Sequence, residues 1–239
     1  TSSTTSSTNE TSTSETSTSM GPETTTDPAG AVADGSAVLR VAHLSPDAPA
    51  VDVYVDDRVV LEDVPFGAVS DYLVLDPGTY SVRVTKTGGD NAVFDQDVGV
   101  EANAYTAAAL GEVSGKNKAF AVKLLTDDVE APASGKARVR LVHAAPDAPA
   151  VDVTAKGDGV VFDGVAFGEA SDYATVDAGD YTLQVRPATD ANDGDVAATF
   201  DVTLDGGTVD TAFAVGYLNP GDAPADEAFD LLLTTDAGA

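Results

Sequence analysis

The chain has 239 residues, 43% of them apolar, and sets 40 acidic side chains against 12 basic ones for a net charge of −28. That balance excludes a nucleic-acid or anionic-lipid surface, because phosphate binding needs clustered Lys and Arg. The lack of cysteine excludes disulfides and thiol chemistry, and no apolar run approaches the ~20 residues of a membrane span. Thr rather than Met stands at position 1, which reads as the product of signal-peptide removal. The acids are spread out: residues 1–36 carry −5, 37–133 carry −9 and 134–239 carry −14. Such self-repulsion suits a saline medium better than a single acidic tail would.

Residues 1–36 come first. Sixteen of the first nineteen are Ser or Thr, and the segment offers no apolar face to offset the entropy of ordering. It therefore reads as a disordered stalk, of the kind that carries O-linked glycans. Asn9-Glu10-Thr11 is an N-glycosylation sequon, with Asn9 as the acceptor.

Beyond the stalk the chain repeats itself. Residues 40–53 read RVAHLSPDAPAVDV and 140–153 read RLVHAAPDAPAVDV, with eight consecutive identities at an offset of 100. At an offset of 101, 65–72 (PFGAVSDY) matches 166–173 (AFGEASDY), and 76–80 (DPGTY) matches 177–181 (DAGDY). Phe94 then pairs with Phe200, Gly111 with Gly216 and Phe120 with Phe229, the drift marking short insertions in the second copy. The spacing predicts repeat 1 over 37–130, a linker at 131–136 and repeat 2 over 137–239.

Within each copy apolar residues alternate two by two between turn signals. Leu39, Val41 and His43 share a face, as do Val51, Val53 and Val55; Tyr80, Val82 and Val84 follow the Pro77-Gly78 turn. Seven or eight short strands in about 90 residues predict an all-β, antiparallel β-sandwich for each repeat. Tyr80 and Tyr181, each just after a glycine turn and facing inward, are read as structural residues akin to a tyrosine corner.

The blocks H-x-x-P-D-A-P-x-V-D-V and F-G-x-x-S-D-Y, followed by P-G-T-Y or A-G-D-Y, resemble the domain-of-unknown-function family forty-three ninety-seven. The resemblance spans residues 37–237 in two copies. It implies an immunoglobulin-like or transthyretin-like sandwich in an exported protein, and it implies no reaction. With the Asp-rich composition the whole looks like a haloarchaeal surface protein, in which a lipid anchor would sit just before residue 1.

His43 and His143 are the only histidines. A catalytic reading joins His43 to Ser70 and Asp71, or to Ser45; the latter fails in the second copy, where Ala145 stands. No G-x-S-x-G elbow accompanies either. The preferred reading makes both imidazoles structural, each bonding the turn that follows. Asp47, Asp52 and Asp71, with Asp147, Asp152 and Asp172, recur in both copies and are the candidates for a Ca²⁺ site. Against that, Asp47 suits a turn, accepting backbone N–H bonds, and Asp52 between inward valines is read as facing out. Residues 190–195 (DANDGD) only superficially resemble a calcium loop and read as a turn. The sequence thus points to a non-enzymatic extracellular or cell-surface structural module that needs no cofactor. Its partners would be other surface proteins or further copies of itself. The alternatives are an adhesin or filament subunit joined through strand edges, and a Ca²⁺- or sugar-binding module.

Overall fold

The computed structural model describes residues 23–157 and 159–238; the expectations for the stalk up to residue 22, including Asn9, lie outside them. The described chain opens with a two-residue strand β1 (Thr24–Thr25) and a short helix α1 (Pro28–Ala33). Asp27 caps that helix, accepting the Gly30 N–H at 2.9 Å, and Pro28 occupies its first turn. Repeat 1 then contributes β2 (Ala37–His43), β3 (Val51–Val55), β4 (Arg58–Val64) and β5 (Tyr72–Leu75). It continues with β6 (Gly78–Lys86), β7 (Ala92–Val100), β8 (Ala104–Leu110) and β9 (Ala121–Asp127). Repeat 2 supplies β10 (Lys136–His143), β11 (Val151–Ala155), β12 (Gly159–Val165) and β13 (Ala174–Asp177), then β14 (Gly179–Pro187), β15 (Ala198–Leu204), β16 (Val209–Val215) and β17 (Asp230–Ala237).

Each repeat is a sandwich of two sheets. The outer sheets run β4-β3-β6-β7 and β12-β11-β14-β15; the inner ones run β1-β5-β2-β8-β9 and β13-β10-β16-β17. The outer sheets are antiparallel throughout, but each inner sheet holds one parallel pair, β2 with β8 and β10 with β16. The expectation of wholly antiparallel sheets is corrected here. After β3 and β4 in the outer sheet the chain returns as β5, antiparallel to β2 on one side, and after β6 and β7 it returns as β8, parallel to β2 on the other.

The packing has four layers. Val41, Val51, Val53, Val64 and Val84 fill the first sandwich beside Ala37, Leu39, Leu75 and Val100; Val139, Leu141, Val151, Val153 and Phe162 are among those filling the second. The two inner sheets also pack on one another. Ala42, Leu44, Ala108 and Leu110 of repeat 1 form one buried cluster with Val142, Ala144, Phe213 and Val215 of repeat 2. Every residue of β2 and of β16 is accordingly buried. Phe213 stands at the position of Ala108, so a large side chain in one copy is matched by a small one in the other.

The ordered fold also begins earlier than residue 37. β1 pairs with β5, and Ala29, Ala31 and Val32 of α1 pack against Val38, Tyr72, Ala104 and Val209. The expectation that residues up to 36 lack a face to bury is corrected for residues 24–33: three small apolar side chains suffice once a preformed apolar cleft receives them.

Candidate functional site

The motif residues converge on backbone. The His43 ring bonds its own corner: its Nε2 donates to the Pro49 carbonyl (3.1 Å) and its Nδ1 faces the Ser45 N–H at 3.4 Å. His143 repeats this with Pro149 (2.8 Å) and Ala145 (3.3 Å). The carbonyl only accepts and the backbone N–H only donates, so Nε2 carries the proton, Nδ1 accepts, and each imidazole is neutral. Burial pushes both below the ordinary histidine value, more strongly than the proline carbonyls raise them. Ser70 is engaged elsewhere. Its hydroxyl donates to the Asp71 carbonyl (2.8 Å) and accepts the Val41 N–H (3.0 Å), and Ser171 does the same with Asp172 and Leu141. The serine, the histidine and the aspartate are thus not brought into a relay. The Tyr80 hydroxyl donates to the Asp76 carbonyl (2.8 Å) and that of Tyr181 to Asp177 (2.7 Å), each reaching four residues back to fasten its turn.

The six aspartates are not brought together. Asp47 accepts the N–H groups of Val113 and Ser114 (2.7 and 2.9 Å), and Asp147 those of Leu218 and Asn219, both at 2.8 Å. The bonds therefore reach the loops after β8 and β16 rather than the aspartates' own turns. Each loop is pinned a second way. Gly111 and Gly216 have φ of 84° and 75°, and a Cβ on either would lie within 2.3 Å of the Ala119 or Ala228 carbonyl oxygen. Asp52 and Asp152 do not face solvent, which corrects the outward reading. Asp52 accepts from the N–H groups of Asp63 (2.8 Å) and Gly88 (3.1 Å) and from Thr87 Oγ1 (3.2 Å). Asp152 accepts from the Gly164 and Thr189 N–H groups. Asp63 and Gly164 take left-handed φ at the register shift between β3 and β4 and between β11 and β12. The carboxylates capture the N–H groups that those bulges free. The Asp63 N–H chiefly holds the Asp52 carboxyl below its ordinary value, against the cost of burial. Asp71 and Asp172 stay exposed. Among the described residues no three His, Asp or Glu side chains gather into a set fit for a metal ion.

The largest polar constellation lies between the repeats. Arg40, on the face of β2 turned toward repeat 2, bonds Asp236 of β17 at 2.6 Å; Arg140 of β10 bonds Asp127 of β9. The two ion pairs cross the interface in opposite senses. Each arginine Nε also donates to a threonine of its own inner sheet, Thr106 (2.9 Å) or Thr211 (3.0 Å). Those threonines pass their hydroxyls on to Asp127 and Asp236, both at 2.6 Å. Tyr72 donates to Asp127 (2.7 Å) and Tyr173 to Asp236 (2.8 Å), and each ring lies 4.9 Å from the guanidinium of its own repeat. Arg40 and Arg140 are only 1% and 2% exposed, so the charges depend wholly on one another. Desolvation opposes the charge on Arg40, but Asp236, with Tyr72 and Asp127, outweighs it and holds the guanidinium above its ordinary value. Burial pushes the tyrosine hydroxyls up, so they remain donors. Arg, Thr, Asp and Tyr recur at equivalent positions in both copies, and that recurrence was the readable signal. Alternation alone shows only that these arginines lie on the strand face opposite Leu39 and Val41 or their counterparts.

Beside this cluster a cavity of about 570 Å³ opens between β1, β5 and β17, with Thr25, Ser70, Asp71, Asp205, Thr208 and Thr235 on its walls. Its floor is the Arg40–Asp236 pair, whose charges are already matched. The cavity therefore offers hydroxyl and carboxylate hydrogen bonds.

Comparison with known proteins places these repeats. A family described as Domain of unknown function (DUF4397) matches residues 4–54, 37–154 and 139–239. No curated protein matches the chain. Solved structures give remote likenesses. A streptococcal virulence factor that binds alpha-glucan is 13% identical over 74% of this chain and 91% of its own, at a TM-score of 0.25. CBMbc (family CBM26) of Eubacterium rectale Amy13K, solved with maltoheptaose, is 14% identical over 85% and 98%, at 0.26. The fimbrial anchor protein Mfa2 of Porphyromonas gingivalis is 10% identical over 84% and 97%, at 0.20. Similarity at that level carries no argument about this chain. The family match is different in kind, for it runs through both repeats and the histidine and tyrosine corners that define them: the chain belongs to the family described as Domain of unknown function (DUF4397).

Proposed function

We propose that the chain is a non-enzymatic structural and interaction module of an extracellular surface in a saline medium, with residues 1–22 as its spacer. The observation that carries this reading is the use to which the polar side chains are put. Both histidines, Ser70, Ser171 and four of the six recurrent aspartates hold backbone. The arginines of the inner strands join the repeats into one body. Surface charge of −28 supports the saline setting. Protease shaving of intact source cells tests the location. Peptides from 37–239 are expected in the shaved fraction, and their recovery only after lysis would overturn the reading.

A second reading, a filament or adhesin subunit joined through strand edges, is favoured by the sheet margins. β4, β7, β12, β13 and β15 stand at edges. Val59 and Val160, at equivalent places on β4 and β12, are 45% and 47% exposed.

A further inference from the structure

The two sandwiches are filled differently at one edge. In repeat 1 a cavity of about 130 Å³ lies between the sheets, walled by Val53, Val82 and Phe94 of the outer sheet and Leu39, Ala107 and Leu124 of the inner one. The one polar side chain on its wall is Gln96, which alternation sets inward between Phe94 and Val98. Gln96 and Leu124 are both exposed, Leu124 by 39%, so the cavity meets solvent between the edge strands β7 and β9. The corresponding space in repeat 2 measures only about 20 Å³. Strand register gives the cause. Gln96 lies opposite Val82, and Phe200 lies opposite Leu183, the counterpart of Val82. Phe200 therefore stands in place of Gln96, and the alignment of Phe94 with Phe200 is corrected by two residues. Phe162 likewise replaces Leu61, whereas Phe94 gives way to Ala198. The Phe200 ring lies 6.0 Å from that of Phe229, just before β17, so two rings stand where repeat 1 has its mouth. Leu233, the counterpart of Leu124, packs on the core instead of facing water.

We infer that the first sandwich is a binding site for a neutral, apolar molecule of about benzene's size, held between β7 and β9 with any hydroxyl it bears turned to Gln96. Size comes first: an apolar protein cavity of ~150 Å³ stays dry and takes up benzene or xenon. Wall atoms beside such a void lack neighbours on one side, and an apolar guest restores those contacts. Charge comes second. No Lys, Arg or His stands on the wall, and the chain carries −28, so an anionic headgroup meets repulsion and no counter-charge. A cation would give up its hydration to an apolar wall. The Gln96 amide both donates and accepts, which suits one hydroxyl at the mouth. Repeat 2, filled by Phe200, has no room for such a guest, so the two copies differ in use as well as in packing.

Methyl NMR of the full chain in molar NaCl, with benzene as the probe, tests this. The expected result is saturable shifts and benzene cross-peaks at the Val53, Val82 and Leu124 methyls and none at those of Val153 and Leu183. Melting temperature should climb with benzene concentration, since a ligand that binds only the folded chain stabilises it. Gln96→Phe should abolish the cross-peaks in repeat 1 and raise the melting temperature without benzene. Val82→Leu should weaken benzene at least tenfold. Each variant copies a residue that repeat 2 already carries at that place, and unchanged methyl positions in repeat 2 check the fold. Absence of cross-peaks at benzene saturation, or cross-peaks that survive both variants, overturns the inference. Hexanoate bound as tightly as benzene overturns the restriction to neutral molecules.

Discussion

At the scale of single residues, two arginines decide how the repeats relate. Breaking a buried ion pair by removing one partner leaves an uncompensated charge and costs about 3–5 kcal/mol, whereas replacing a whole buried set with apolar groups is often neutral. Arg140→Met, which leaves Asp127 only the longer contact with Arg40 Nε at 3.7 Å, should therefore lower stability by up to about 3–5 kcal/mol. Restoring the balance with Asp127→Leu in the same chain should recover much of that loss, as urea midpoints will measure. The histidines give a pH signature. Burial holds both below their ordinary 6.5, so the unfolded chain takes up protons in a range where the native chain does not. Their contribution is complete above 6.5 and is lost as pH falls from there through the depressed native values. Urea midpoints should drop between pH 7.5 and 5, and His43→Gln with His143→Gln should flatten that slope. Asp52, also depressed from its ordinary 3.8, acts only in the more acid range below that value.

At the scale of elements, the strands follow from alternation and the joints do not. Val51, Val53 and Val55 on β3, or Tyr80, Val82 and Val84 on β6, announce a face of period two, and their turns are marked by glycine and proline. The parallel pairing of β2 with β8 was illegible because it depends on which strand the returning chain lands beside, and no local pattern encodes that. Asp52 escaped for a related reason. Between two inward valines it must point to the other face, but whether that face is wet depends on a bulge in β4 and a turn near residue 88. Arg40 escaped likewise, since alternation shows that it leaves the sandwich core and is silent on a second core beyond. The His43 and Tyr80 corners were legible because their partners lie within six residues. Asp52→Ala should strand the N–H groups of Asp63 and Gly88 and cost about 1–3 kcal/mol. Amide exchange should quicken at the β3–β4 bulge before it does elsewhere in repeat 1.

At the scale of the whole molecule, four sheets stack as one body that carries 28 excess negative charges. At 0.01 M salt the screening length is about 30 Å and most of those charges repel; at 1 M it is about 3 Å and only neighbours do. Melting temperature should therefore climb steeply from dilute buffer to molar NaCl, and a flat salt series would separate the acidity from any saline setting. The central claim is that the crossed Arg40–Asp236 and Arg140–Asp127 pairs, with the apolar cluster around Phe213, make the two repeats a single cooperative unit. Calorimetry of the full chain in molar NaCl tests it most directly. The account predicts one transition whose calorimetric and van't Hoff enthalpies agree, and which Arg140→Met moves down as a whole. Two resolved transitions, with the variant shifting only one of them, would contradict it.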